Sequence, residues 1–193
     1  MFEEFIRSFI TLFIIMDPFM SVVFFLGYSK DFDQKQKDKS ILIAIGVAAF
    51  LLLLFLVIGL YLLEALNISF NGFKIAGGII LLIMGVTTVL AIDIGSKSEN
   101  VSSGAILIGT PLLSGPGALT TIIILSKEYG YLVPALAGVV VLIISYIMLK
   151  FAKNLQKFIG TEVIEIMSKV MGLLLAALAV DFIHAGIVGF IGG

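Results

Sequence analysis

Two interruptions of apolar sequence hold the residues that could do chemistry in this chain. In ITLFIIMDPFMSVVFF (10–25), Asp17 and Pro18 stand in the middle of a hydrophobic run. In ILIGTPLLSGPGALTTIII (106–124), the interruption is Ser114-Gly115-Pro116, with Thr110-Pro111 a further break upstream. Proline has no backbone donor and clashes with the preceding turn, so it breaks or kinks a helix interior. It suits the first position of a new helix, and aspartate or serine suits the cap just before it. Asp17-Pro18 and Ser114-Gly115-Pro116 therefore read as the starts of fresh half-helices. A half-helix N-terminus presents amide groups and a partial positive charge suited to a carboxylate. The end of the preceding half-helix presents carbonyls suited to an ammonium or a small cation. Two such breaks facing each other near a membrane midplane could hold a small zwitterion. Asp17, Pro18 and Phe19 at the first break, and Ser114, Gly115, Pro116, Gly117, Ala118 and Thr120 at the second, are the candidate binding residues. Gly115, Gly117 and Ala118 would keep the backbone accessible. The plainer alternative is two kinked helices in a packed bundle, with Asp17 only capping.

A second polar pair lies near the C-terminus. Asp181 and His184 fall one turn apart on one helix face. A carboxylate at the bilayer centre costs about 3 kcal/mol or more unless it is paired, and marks a functional site by default. Asp17, Asp181 and His184 are the candidates for coupling to an ion. The other reading of Asp181 and His184 is a local pair that holds helices together, or a histidine at the outer interface. Thr87 and Thr88 could face the same cavity as the breaks, although such threonines more often bond back to their own helix. No nucleophile–base pair, metal cluster or phosphate loop is present, so an enzyme is not expected and no cofactor is implied.

The elements that must position these residues are membrane helices. Of 193 residues 60% are hydrophobic and only 13% charged, where a soluble domain carries roughly 25% charged. Mean hydropathy is +1.20. Net charge is −1, which gives no basis for nucleic-acid binding, and the absence of cysteine excludes disulfides and thiolate metal sites. The opening MFEEFIR does not read as a signal peptide, so the first apolar segment is taken as a true span. Six segments reach the ~20 apolar residues a span needs: about 5–28, 41–63, 73–92, 104–126, 130–150 and 170–191. The longest connections are 30–40 and 153–169. The loops after spans one, three and five hold Lys30, Lys35, Lys37, Lys39, Lys97, Lys150, Lys153, Lys157 and Lys169; the other side holds only Arg7, Lys74 and Lys127. That bias puts the lysine-rich loops in the cytoplasm and both termini outside.

The two halves match weakly. Asp17-Pro18 aligns with Gly115-Pro116 at a shift of 98, and Phe73-Lys74-Ile75-Ala76-Gly77 aligns with Ser168-Lys169-Val170-Met171-Gly172 at a shift of 95. Three spans per half forces the second half to enter from the opposite side. The expected fold is thus all-α, a single transmembrane domain (1–193) of 3+3 inverted repeats, about 1–95 and 100–193, with spans one and four broken near the midplane. Gly72, Ala76, Gly77, Ala185 and Gly189 give small-residue faces for close helix contact, between protomers as well as within one.

At these residues the chain resembles the MarC family of integral membrane proteins, some of which are small neutral amino acid transporters of the SnatA type. The resemblance covers nearly the whole chain and is strongest in PLLSGPGALTT (111–121), FKIAGGIILL (73–82) and VMGLLLAALAVDFI (170–183). Span one departs from the family's D-P-x-G-x-x-P pattern, with Met20 and Val23 at the glycine and second proline positions. At position 181 the family often has an uncharged polar residue where this chain has Asp181. The resemblance implies transport of glycine, alanine and similar amino acids across a prokaryotic plasma membrane, coupled to an ion gradient. Na⁺ would favour the carbonyls at the breaks with Asp17; H⁺ would favour Asp181 or His184. A passive channel for a small solute and a non-transporting membrane assembly protein are the alternatives.

Overall fold

The computed structural model describes residues 1–91 and 113–192, and every regular element among them is a helix. The helices are α1 (Phe2–Met16), α2 (Pro18–Tyr28), α3 (Gln34–Ala65), α4 (Phe70–Val89), α5 (Pro116–Tyr129), α6 (Leu132–Lys150), α7 (Ala152–Ile159) and α8 (Thr161–Ile191). Five segments are long and apolar enough to cross a membrane: α1 with α2, then α3, α4, α6 and α8. The fourth expected span begins in 104–112, outside the described residues. Its described part, α5, has 14 residues and rises about 21 Å, less than the ~30 Å hydrocarbon core.

The helix ends follow local chemistry. Asp33 caps α3 and Gln36 returns a bond to the Asp33 amide, a reciprocal capping box. This starts α3 at Gln34, ahead of the apolar run. Ser69 caps α4 through the Gly72 amide at 3.1 Å. Segment 153–169, expected as a connection, is instead helical. Its first part is α7, an amphipathic helix of about two turns with Lys153 and Lys157 exposed and Leu155 partly buried, as suits a helix lying at a membrane interface. Gly160 then takes φ 83°, a left-handed turn open to glycine, and α8 begins at Thr161, nine residues before the apolar run.

Two packing units hold the site. The first is the α4–α8 pair. Gly78 lies against Ala179 and Ile183, and Gly85, seven residues on, lies against Gly172 and Ala176. The two helices are therefore antiparallel. A Cβ at Gly85 would stand 2.7 Å from the Gly172 carbonyl oxygen, and one at Gly186 would stand 2.7 Å from that of Asn71. Only glycine allows backbones this close. The second unit is α5, which packs against α1, α3, α4 and α6. Thr120 to Ser126 are all buried, so this short helix is the centre of the bundle. The large apolar residues exposed on α4 and α8, such as Ile83, Leu173 and Val180, face where lipid would lie.

Candidate functional site

The first break is a polar joint. Asp17 adopts φ 34°, ψ 76°, the left-handed region that aspartate tolerates better than most residues. That conformation ends α1 and lets Pro18 open α2. The Asp17 carboxylate is then divided between two helices. Its Oδ1 accepts the Met20 amide at 3.1 Å, capping α2. Its Oδ2 accepts the Ser168 hydroxyl of α8 at 2.9 Å. Ser21 donates its hydroxyl to the Asp17 carbonyl at 3.2 Å. Ser168 and Pro18 are buried and Asp17 is partly so. Phe19 turns its ring edge-on to Phe13 across the break, at 6.2 Å between centroids. It ends a ladder of Phe5, Phe9 and Phe13 along α1.

The second break is built differently. Gly115 has φ −64°, ψ 173°, extended backbone open to any residue, and makes no side-chain cap bond. Leu113, Ser114, Gly115 and Ala118 are buried, and Pro116 is exposed. Gly117 meets Leu81 and Met84 of α4, and the Thr120 methyl meets Gly77 of α4. The Thr120 hydroxyl donates to the Pro116 carbonyl at 2.7 Å. Gly117 and Thr120, expected to line an open pocket, are turned to α4: Gly77 leaves room for the Thr120 methyl, and Gly117, lacking a side chain, admits Leu81 and Met84. The Thr121 hydroxyl is fully buried and has no hydrogen-bond partner among the described residues. Thr110 and Pro111 lie outside the described residues.

Asp181 and His184 are exposed on α8. They follow Ser168 by 13 and 16 residues, about 20 and 24 Å along a helix axis, so they are not brought to Asp17. Thr87 donates to the Ile83 and Met84 carbonyls and Thr88 to that of Met84, bonding back to their own helix. Among the described residues no group of His, Asp and Glu could hold a metal ion. Ser168 is the residue that sequence reasoning missed. It stood at the edge of an expected loop, and its one signal was a small polar residue four positions before Gly172.

Residues 2–191 match the model of a family described as MarC family integral membrane protein. A UPF0056 membrane protein of Methanocaldococcus jannaschii is 32% identical over 97% of both chains. Another from Buchnera aphidicola is 28% identical over 96% of both, and one from Archaeoglobus fulgidus is 29% identical over 95% of this chain and 92% of its own. No solved structure matches the chain.

Proposed function

The chain belongs to the MarC family of integral membrane proteins, and we propose that it is a secondary transporter of small neutral amino acids such as glycine and alanine, driven by an ion gradient. The observation that carries this reading is the Asp17 carboxylate, placed at a helix break and shared between α2 and Ser168 of α8. A substrate ammonium would displace the Ser168 hydroxyl from Oδ2. The substrate carboxylate would turn to the buried Thr121 hydroxyl, more than a turn into α5 and past the second break, a donor without a partner among the described residues. Loss of the Asp17–Ser168 bond would loosen the α1–α2 joint from α8 and so link binding to movement.

Six spans in 3+3 inverted repeats form part of this proposal, supported by the α4–α8 contacts. A shift of 94 carries Gly78 to Gly172 and Gly85 to Ala179, so the contact of Gly78 with Ala179 maps onto that of Gly172 with Gly85. Any antiparallel pair has such a local two-fold. What supports a repeat is that the exchanged positions are small in both helices, Gly78 with Gly172 and Gly85 with Ala179, at a shift one residue short of the 95 read from the sequence. Rocking about an axis in the membrane plane would alternate access. Both termini would lie outside a prokaryotic plasma membrane. A second copy would cover α8, since the exposed Asp181 and His184 would otherwise meet lipid. Coupling would use Na⁺ at the first break or H⁺ at Asp181 or His184.

Uptake of labelled glycine and alanine into proteoliposomes under imposed H⁺ or Na⁺ gradients tests the reading, with Asp17→Asn in parallel. Accumulation under one gradient, abolished by the substitution, is the expected result. Equilibration without accumulation, at flux far above transporter rates, would identify a channel. No uptake by folded protein under either gradient would remove transport of these substrates. The packing of Gly117 and Thr120 on α4 favours, for the second break alone, a structural role.

A further inference from the structure

The lysine-rich end of the bundle holds two adjoining cavities. One, of about 340 Å³, is lined by Ser29, Lys30, Lys153, Gln156 and Thr161 among others. The other, of about 280 Å³, is lined by Ser29, Lys37, Lys150 and Lys153 among others. They share Leu26, Ser29 and Lys153, so they are two lobes of one cleft. No aspartate or glutamate lines either lobe. Each is far larger than the ~30 Å³ a water molecule occupies in the liquid.

The cations here outnumber the carboxylates that reach them. Lys37 retains 7% exposure, and the Lys153 ammonium lies close enough to act on it, a like charge beside a like charge. Asp33, at the α3 cap, is near enough to act on Lys37, but it does not line the cleft and is one acid against Lys30, Lys37, Lys150 and Lys153. Lys150 stands over the Tyr146 ring at 5.6 Å. None of the three ion pairs found among the described residues includes Lys30, Lys37, Lys150 or Lys153. Two ammonium groups close together repel, and a covered one without a partner is unfavourable. A multiply charged anion between them would relieve both.

We infer that this two-lobed cleft, where α2 and α6 end and α3 and α7 begin, binds a phosphate-bearing anion between Lys37 and Lys153, with Lys30 and Lys150 flanking it. The apolar spans end at this level, which is the depth of lipid phosphates, and basic pockets between helices take such headgroups. A free phosphate compound offers the same chemistry from solution.

Native mass spectrometry of the full chain in detergent separates these sources. The probes are phosphatidylglycerol, phosphatidylcholine and inorganic phosphate, each added to wild type, Lys153→Ala, Lys37→Met and, as a control from the other end of the bundle, Lys127→Ala. Lys153 is exposed, so its truncation leaves the packed interior intact. Phosphatidylglycerol retained at least tenfold better by wild type and Lys127→Ala than by Lys153→Ala and Lys37→Met, with little phosphatidylcholine, would establish the site and its lipid occupant. Retention of inorganic phosphate with the same lysine dependence would establish it for a soluble anion. Equal loss in Lys127→Ala, or no lysine-dependent retention of either anion, would overturn it.

Discussion

The two helix breaks look alike in sequence and differ in the folded chain. At Asp17-Pro18 the backbone turns left-handed and a carboxylate bridges α2 and α8. At Gly115-Pro116 the backbone is merely extended, the cap has no side chain, and the next residues pack on Leu81, Met84 and Gly77 of α4. A proline at the first helical position specifies that a helix starts. What the start can do depends on the residue before it and on which neighbour fills the space. The first break is thus suited to chemistry and the second to joining α5 to its neighbours.

The largest expected effect separates those roles. Asp17→Asn should lower uptake about 100-fold, because an ammonium facing an unpaired site loses roughly 2–5 kcal/mol, while the purified protein keeps its helical circular dichroism. Gly117→Leu should do the reverse of this pattern. It forces side-chain volume into Leu81 and Met84, so its melting temperature should fall by the equivalent of about 1–3 kcal/mol, and uptake should fall in proportion to folded protein. If Gly117→Leu instead folds normally and loses only transport, the contrast between the breaks fails.

Ser168→Ala tests the bridge more gently. A hydrogen bond to a charged group contributes about 1.5–3 kcal/mol, but substrate competes for this one, so a changed half-saturation concentration with intact folding is the expected readout. Thr121→Val should leave melting unchanged or slightly raised without substrate, since it removes a buried hydroxyl that has no partner among the described residues, and should lower uptake severalfold. The smallest effect is expected for Lys74→Ala. Its pair with Glu128, at 2.7 Å, ties the start of α4 to the end of α5. Glu128 is exposed while Lys74 is largely covered, so the pair should contribute about 1 kcal/mol, the upper end for surface pairs, and melting in moderate salt should fall only slightly.

Much of this architecture was legible in the residues. The apolar runs locate five of the six expected spans, and Asp17-Pro18 and Gly115-Pro116 mark helix starts where helices do start. Thr87 and Thr88 bond back to α4, the more ordinary of the two expectations. Segment 153–169 was less legible, because α7 is polar enough to resemble a loop and its helical character follows from lying along a boundary. Gly117 and Thr120 were legible as small and polar residues but not by direction.

The sequence by itself determined the breaks, the caps and the membrane-spanning runs, because proline, aspartate and serine act on backbone groups within about four residues of themselves. Only the tertiary structure decided that Asp17 meets Ser168, 151 positions away, that α4 and α8 pass glycine to glycine, and that Lys37 and Lys153 share a cleft. Those pairings arise from how whole helices pack, and no spacing along a chain encodes which of several similar faces will meet.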